Sequence, residues 1–448
     1  MIDRERLGAL LHRERAAFAD RNPRSAAEYA RAGHLFGRVP MTWMNKNAAG
    51  FPLYLAAARG ATLTDVDGHE YSDFCLGDTA AMAGHAPAPV AAAVQERFGA
   101  GACAMLPTPD AAWVGEELTR RFGVTEWSFA LSATDANRWA IRLLRAVTGR
   151  PKILFNSYCY HGSVDESLIV TGEDGPRSRE GNVGAPCDVT LTSRVAEFND
   201  LEGLARELAH GDVAAVVMEP ALTNIGIVLP EPGYLEGVRE LTRRHGTYLV
   251  NDETHTFSAG PGGATKRWGL RPDVVTIGKA IGGGIPAAAY GISQDIAGKI
   301  AGMRHLDLVD MGGVGGTLAG NALSIAAARA ALEHVLTDEA FARMEALAVR
   351  FADGVQRVID VHGLPWSVSR LGARVEYRFT SPAPRTGTES AQAADAELED
   401  YLHVYLANRG ILLTPFHNMA LMSPDTTAQQ VDRHETVFEA AISELQRA

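Results

Sequence analysis

The chain has 448 residues, a formal net charge of −12, and hydrophobic and charged fractions of 46% and 21%. These proportions are typical of a globular protein, and the length allows roughly two or three domains. Lys and Arg nowhere form a run longer than a dipeptide, which excludes a nucleic-acid ligand because neutralising phosphates needs clustered cations. No apolar run approaches a membrane span, and the charged N-terminus lacks the apolar core of a signal peptide.

The four cysteines are far apart and show neither metal-ligand nor disulfide spacing. We therefore expect a cytoplasmic protein without a bound metal and without a membrane partner.

The first 75 residues predict a helical segment followed by a β-hairpin. Residues 1–35 have the pattern of an amphipathic helix. Four large apolar side chains share one face of this helix: Leu7, Leu10, Leu11 and Phe18. A loop over residues 38–49 contains Trp43, and residues 53–74 alternate in polarity and turn at Asp67-Gly68, which is a hairpin signal.

Residues 76–331 predict a large α/β domain. Three Val-rich runs, too short for helices, have the character of buried parallel strands: Val213–Met218, Tyr248–Val250 and Val274–Ile277. Helical patterns over residues 201–209 and 234–245 precede the first two of them. This βαβ alternation predicts a mostly parallel sheet covered by helices.

From residue 332 the pattern changes to long amphipathic helices around two strands, Arg374–Phe379 and Ile411–Thr414. The Pro/Ser/Thr-rich stretch 380–392 between them is predicted to be a surface loop. We expect a smaller α+β domain over residues 332–448, which the N-terminal residues 1–75 join.

Each of the three predicted strands ends on a polar or charged residue, namely Glu219, Asp252 and, just beyond the third strand, Lys279. Ligands of open α/β sheets bind beyond the carboxyl ends of the strands, so these side chains should face one cleft. An acid and a lysine there suit pyridoxal phosphate, because the lysine forms a Schiff base with the aldehyde and the acid keeps the pyridine nitrogen protonated. The alternative is that Asp252 caps a helix and Lys279 is a solvated lysine.

Two further segments have the pattern of anion sites. A short strand passes through Ser132, Ala133 and Thr134 into a helix, whose free N–H groups attract anions. The Gly-rich loop Gly315–Asn321 also feeds a helix and places Thr317 near its start. The alternative for the first segment is simple capping by Ser132 or Thr134.

These pieces occur together in one known family. The chain resembles class III pyridoxal-phosphate aminotransferases of fold type I, especially the branch of glutamate-1-semialdehyde aminomutases and β-amino-acid aminotransferases. The resemblance rests on several stretches in family order: DVDGHEYSDF, LSATDANRWAIRLLRAVTGR, CYHG, EPALTNIG, NDETHTF, TIGKAIGGGIP, GGTLAGNAL and YLANRGILLTP. It implies a mostly parallel seven-stranded sheet and a homodimer with shared active sites.

The resemblance also implies a role for each matching residue. Lys279 would be the Schiff-base lysine and proton shuttle, and Asp252 would pair with the pyridine nitrogen. The phosphate of the cofactor would be bound by Ser132, Ala133, Thr134 and the neighbouring subunit's Thr317. Tyr160 would contact one face of the ring and Thr254 the other. Glu219 and Asn224 would lie near the ring hydroxyl.

The chain also departs from the family pattern. Ala133 stands where the family has Gly, Thr254 replaces an apolar residue, and His255 occupies a position usually held by Gln or Met. Trp43 falls where the branch has an arginine for a substrate carboxylate. If that carboxylate is bound elsewhere, Arg374 or Arg378 could receive it.

We therefore predict a transaminase that moves an amino group from an amine or amino acid to a keto acid, aldehyde or ketone. An aminomutase, which moves the amino group within one molecule, is the nearest alternative, and a racemase would not look different in sequence. A cofactor-binding regulator is the alternative from another class. It is disfavoured because the chain is acidic and no helix-turn-helix unit precedes the core.

Overall fold

The computed structural model describes residues 2–303 and 313–447. The chain divides into two compact units. The central unit comprises Pro87–Phe341 and Pro384–Gln392, and the terminal unit comprises Met1–Ala86, Ala342–Ala383 and Ala393–Ala448. The terminal unit thus combines segments from both ends of the chain.

The strands follow one another in the order β1 (Leu55–Arg59), β2 (Thr62–Asp65), β3 (Glu70–Asp73), β4 (Glu126–Ala130), β5 (Lys152–Asn156), β6 (Ile169–Val170), β7 (Arg177–Ser178), β8 (Ser193–Ala196), β9 (Val213–Met218), β10 (Tyr248–Asp252), β11 (Val274–Ile277), β12 (Ala288–Ile292), β13 (Ser367–Leu371), β14 (Arg374–Arg378), β15 (Ile411–Leu412) and β16 (Met419–Leu421).

The α-helices of the described residues are α1 (Arg4–Arg21), α2 (Pro23–Arg31), α3 (Ala88–Gly99), α4 (Pro109–Phe122), α5 (Ala133–Thr148), α6 (Leu201–Leu208), α7 (Tyr234–Arg244), α8 (Gly263–Arg267), α9 (Gln294–Ala301), α10 (Ala322–His334), α11 (Asp338–Val361), α12 (Gly387–Gln392), α13 (Ala396–Ala407) and α14 (Ala428–Gln446). Within residues 2–303 and 313–447, none of the helices combines the length and the apolar character needed to cross a membrane.

The central unit is built on a seven-stranded sheet with the order β4-β12-β11-β10-β9-β5-β8. The neighbours from β11 to β8 run parallel, while β12 is antiparallel to both β11 and β4. Every residue of β9 is buried, as expected of a strand covered on both faces. The apolar side of α5, including Trp139 and Leu144, belongs to the same core. The predicted α/β fold with a mostly parallel sheet is confirmed.

The terminal unit contains two smaller sheets, β1-β2-β3-β15 and β13-β14-β16. The predicted hairpin is present, because β2 and β3 pair antiparallel across the turn that contains Asp67 and Gly68. The predicted N-terminal helix is divided at Asn22 into α1 and α2. Its expected apolar face, made of Leu7, Leu10, Leu11 and Phe18, is buried.

The prediction of a loop over residues 380–392 is wrong for its second half. Residues 387–392 form α12, and residues 384–392 belong to the central unit. Their polar side chains bind this unit: the Thr388 hydroxyl donates to Glu197 at 2.5 Å, and Arg385 forms an ion pair with Glu231 at 2.5 Å. Composition alone does not show such long-range partners, so the stretch resembles a loop in sequence.

Candidate active site

The ends of β9, β10 and β11 bring three predicted residues to one edge of the central sheet. Asn251 is paired with Met218 of β9, and Asp252 with Thr276 of β11. Glu219 directly follows β9, Asp252 ends β10, and Lys279 follows β11 by two residues. Because these strands are adjacent and parallel, their carboxyl ends lie side by side, which is where an α/β sheet binds ligands.

Asp252 is a buried carboxylate held by three donors. The Nδ1 of His161 and the Nδ2 of Asn137 each lie 2.8 Å from its Oδ2, and the Thr254 N–H donates to its Oδ1 at 3.0 Å. Burial alone would raise the pKa of this carboxyl, but the hydrogen bond and charge of His161 and the other donors lower it to about 2. Asp252 is therefore ionised at neutral pH although it is only 2% exposed.

His161 and Asn137 are the two site residues that the sequence analysis missed. Burial lowers the pKa of His161, but Cys159 and the hydrogen bond to Asp252 outweigh it and raise that pKa well above its ordinary value. Asn137 lies on α5, and its Oδ1 accepts a hydrogen bond from the Thr276 hydroxyl at 2.7 Å. The available signal was weak: a His after strand β5 in CYHG, and an Asn one turn into α5.

Lys279 stands in an unusual backbone conformation directly after Gly278. Its φ is +50°, in the left-handed region that residues other than Gly seldom adopt. Its Nζ lies 2.9 Å from the Nε2 of His255, the residue three positions after Asp252. Both side chains are half-buried. Backbone strain of this kind is typically retained where function requires it.

The start of α5 is closely approached by two glycines. Ser132 is the N-cap and its hydroxyl accepts from the Asp135 N–H. A Cβ on Gly162 would lie only 2.1 Å from the Thr134 Oγ1, and one on Gly278 would lie 3.0 Å from the Ala133 Cβ. The methyl group of Ala133, which departs from the family pattern, is therefore accommodated by the missing side chain of Gly278.

The remaining central-unit candidates lie in neighbouring loops. Glu219 is buried, and burial raises its pKa to about 7 against the opposing effects of His161 and of a hydrogen bond from the Thr223 hydroxyl. Asn224 donates to the Tyr158 carbonyl at 3.1 Å, which ties it to the loop that carries the half-buried Tyr160. Thr317, by contrast, lies in an exposed turn four residues before the N-cap of α10.

Trp43, Arg374 and Arg378, three of the residues predicted for the substrate, belong to the terminal unit. Arg374, on β14, is 1% exposed and donates to the Thr79 hydroxyl and to the Met419 sulfur. Trp43 lies in the 3-10 turn Thr42–Asn45 and is 36% exposed. Its indole meets the Phe416 ring edge-on with 6.0 Å between centroids.

Comparison with known proteins identifies the family. Residues 43–442 match the Aminotransferase class-III family. The chain is 32% identical over 405 residues to the glutamate-1-semialdehyde 2,1-aminomutase of Anaeromyxobacter dehalogenans (strain 2CP-1), covering 89% of this chain and 92% of the relative.

Among solved structures, a glutamate-1-semialdehyde-aminomutase from Pseudomonas aeruginosa PAO1 is 45% identical, with a TM-score of 0.96 over 99% of both chains. A variant of that protein was solved in complex with PMP. An omega-transaminase from Sphaerobacter thermophilus is 30% identical, with a TM-score of 0.85 over 94% of this chain and 98% of that one. The chain therefore belongs to the class III aminotransferases, a family of enzymes that depend on pyridoxal phosphate.

Proposed function

We propose that the protein is a transaminase that moves an amino group from an amine or amino acid donor to a keto acid, aldehyde or ketone. The observation that supports this most strongly is the arrangement of Asp252 and Lys279. Asp252 is a buried carboxylate kept ionised by His161, and Lys279 follows the end of the adjacent strand. A fixed negative charge and a nearby amine are the two groups that pyridoxal phosphate requires of a protein.

The residues present fit this cofactor. An ionised carboxylate accepts about four hydrogen bonds, and Asp252 receives three from its protein donors, so Oδ1 retains capacity for a ring N–H. The start of α5 offers backbone N–H groups without intrahelical acceptors, which suit a phosphate. The absence of side chains at Gly162 and Gly278 keeps the backbone around this helix start closely packed.

Pyridoxal phosphate supplies an aldehyde that bonds to amines and a ring that withdraws electrons from the adjacent carbon. The protein must keep a proton on the ring nitrogen and move a second proton at the reacting carbon. Asp252 keeps the proton on the ring nitrogen through its negative charge, and His161 orients that carboxylate. Lys279 moves the proton at the reacting carbon, because its Nζ is an amine at this edge of the sheet and a positioned amine acts as a general base and acid.

The aminomutase alternative has an observation of its own in its favour, since the relatives named above include glutamate-1-semialdehyde aminomutases. Both reactions use the same groups on the protein. They differ in whether the deaminated molecule leaves the enzyme.

Product release in a single half-reaction separates the two functions. When the loaded enzyme is mixed with an accepted amine and no acceptor, a transaminase should release about one equivalent of ketone or aldehyde per active site, because the amino group stays on the enzyme. The product can be quantified by chromatography after rapid quenching. An aminomutase would release an isomer of the substrate and no stoichiometric carbonyl product.

The variant Lys279→Ala is the control for this experiment. It should release no product above background, since loss of a general base lowers rates by about 10²–10⁴-fold. Borohydride reduction should fix the cofactor to Lys279 of the unmodified protein, as read by peptide mass spectrometry. Labelling of a different lysine would contradict the assignment.

For the donor, we propose an amine with an apolar group on the side of Trp43. The indole and Phe416 form an aromatic surface over which the Lys46 Nζ lies, 5.6 and 5.5 Å from the two ring centroids. The Lys46 ammonium is a point charge without the planar fork of an arginine, so a carboxylate pressed against the indole loses hydration without gaining a bidentate pair.

The variant Trp43→Arg should therefore raise kcat/KM for carboxylate-bearing donors relative to their decarboxylated analogues by about 10- to 100-fold. Trp43→Leu is the matched control, because it loses the same packing without adding a charge. Steady-state kinetics on such donor pairs give the ratio. An equal ratio in both variants would place the carboxylate site elsewhere, with Arg374 and Arg378 as the next candidates.

We also propose a homodimer with shared active sites. The central unit exposes four large apolar side chains at two adjoining segments: Phe98 (71%), Met105 (81%), Leu106 (73%) and Leu318 (51%). The segments are joined by a hydrogen bond from the Ala322 N–H to the Ala102 carbonyl at 3.0 Å. Thr317, next to Leu318, is itself exposed. Exposed large apolar side chains on neighbouring segments are typical of an interface.

Mixing Lys279→Ala with Thr317→Trp subunits tests whether Thr317 serves the partner's site. In a two-fold dimer, both lesions of a heterodimer would then fall in one site and the other would be native. After verified subunit exchange, an equimolar mixture should recover about one quarter of the unmodified activity, by statistical pairing. If Thr317 acts within its own subunit, or not at all on the phosphate, mixing will add nothing to the activities of the separate variants.

A further inference from the structure

The side chain that contacts Lys279 is an imidazole. Asp252 is paired with Thr276 on the neighbouring parallel strand. His255 follows Asp252 by three residues, and Lys279 follows Thr276 by three residues. The two side chains therefore meet just beyond the ends of the two strands. Their nitrogen atoms, Nζ and Nε2, are 2.9 Å apart, which is a hydrogen-bond distance for two nitrogens.

The chemistry of the two groups fixes the direction of this hydrogen bond. A lysine ammonium has three N–H donors and no acceptor. The Nε2 of His255 must then accept, so the ring is neutral and carries its proton on Nδ1. An imidazolium would place two like charges in contact.

The acids closest in sequence to His255 are engaged with other partners. Asp252 binds His161, Asn137 and the Thr254 N–H. Glu253 accepts hydrogen bonds from the Thr256 hydroxyl and from the N–H groups of α8, at 2.6 Å for Thr265. A carboxylate in the place of His255 would favour the ammonium form of the lysine, whereas a neutral ring fixes the direction of Nζ without adding a negative charge.

We propose that His255 is a positioning residue for Lys279: its neutral Nε2 accepts a hydrogen bond from the lysine and so holds Nζ in a defined direction. The inference rests on the proposed function, in which Lys279 binds the cofactor and moves the proton. Whenever Lys279 is not bonded to the cofactor, one of its N–H groups donates to His255, which fixes the direction of Nζ. His255 itself acts through Lys279.

The test compares His255→Leu, which removes the acceptor, with His255→Gln, whose amide oxygen retains one. In His255→Leu, kcat should fall by about 10- to 100-fold with KM changed by less than about twofold, the effect expected of a lost hydrogen bond to a charged group. His255→Gln should recover most of the loss. His210→Leu, at an exposed position of the central unit, is the matched control and should behave as the unmodified protein.

Capture of pyridoxal phosphate by the apoprotein gives a readout that needs no turnover. The rate constant of covalent capture, followed by absorbance, should fall about 10-fold in His255→Leu and recover in His255→Gln. In the Lys279→Ala background, His255→Leu should leave the non-covalent affinity for the cofactor unchanged, because the histidine acts through the lysine. A double-mutant cycle of this kind isolates the coupling between the two side chains.

Three results would overturn the proposal: equal capture rates in His255→Leu and the unmodified protein, failure of His255→Gln to restore the rate, or a loss of affinity that persists without Lys279. The last would mean that His255 contacts the cofactor directly. Failure of the proposed function would look different: borohydride would fix the cofactor to a lysine other than Lys279, or the unmodified protein would release no carbonyl product from the amine.

Discussion

The site depends on one buried ion pair, between Asp252 and His161. An unpaired carboxylate with this burial would cost several kcal/mol or would take up a proton. The imidazole at 2.8 Å, with Asn137 and the Thr254 N–H, keeps it ionised. The same contacts join α5, the loop after β5 and the end of β10, so the residues that set the charge of Asp252 also fix its position.

The sheet explains why Lys279 and this carboxylate lie at the same edge. Because β10 and β11 are parallel neighbours with Asp252 opposite Thr276, the chain leaves both strands at the same edge. Thr276 donates to Asn137, which in turn donates to Asp252, so the strand that leads to Lys279 is tied to the carboxylate network. The adjacent Gly278 lets this strand end approach the start of α5. A negative charge, an amine and a helix N-terminus are thereby held by backbone elements.

Much of this could be predicted from sequence because the signals are local. The runs that form β9 and β11 have the predicted bounds, and β10 extends two residues further, to Asp252 itself. His161 and Asn137 could not be found in this way, since their hydrogen bonds to Asp252 span 91 and 115 residues. Strand β12 was also missed, because its five residues are small or apolar without a flanking charge and one of its two partners, β4, is distant in sequence. The roles assigned to the site residues stay predictions.

In the proposed function, Asp252, kept ionised by His161, holds a proton on the ring nitrogen of the cofactor. The most direct measurement is the ¹⁵N NMR shift of that nitrogen in protein loaded with ring-labelled pyridoxal phosphate. We expect the shift of a protonated pyridine in the unmodified protein at neutral and mildly alkaline pH, and that of an unprotonated pyridine in Asp252→Asn. An unprotonated nitrogen in the unmodified protein, or a protonated one that survives Asp252→Asn, would contradict this role of Asp252.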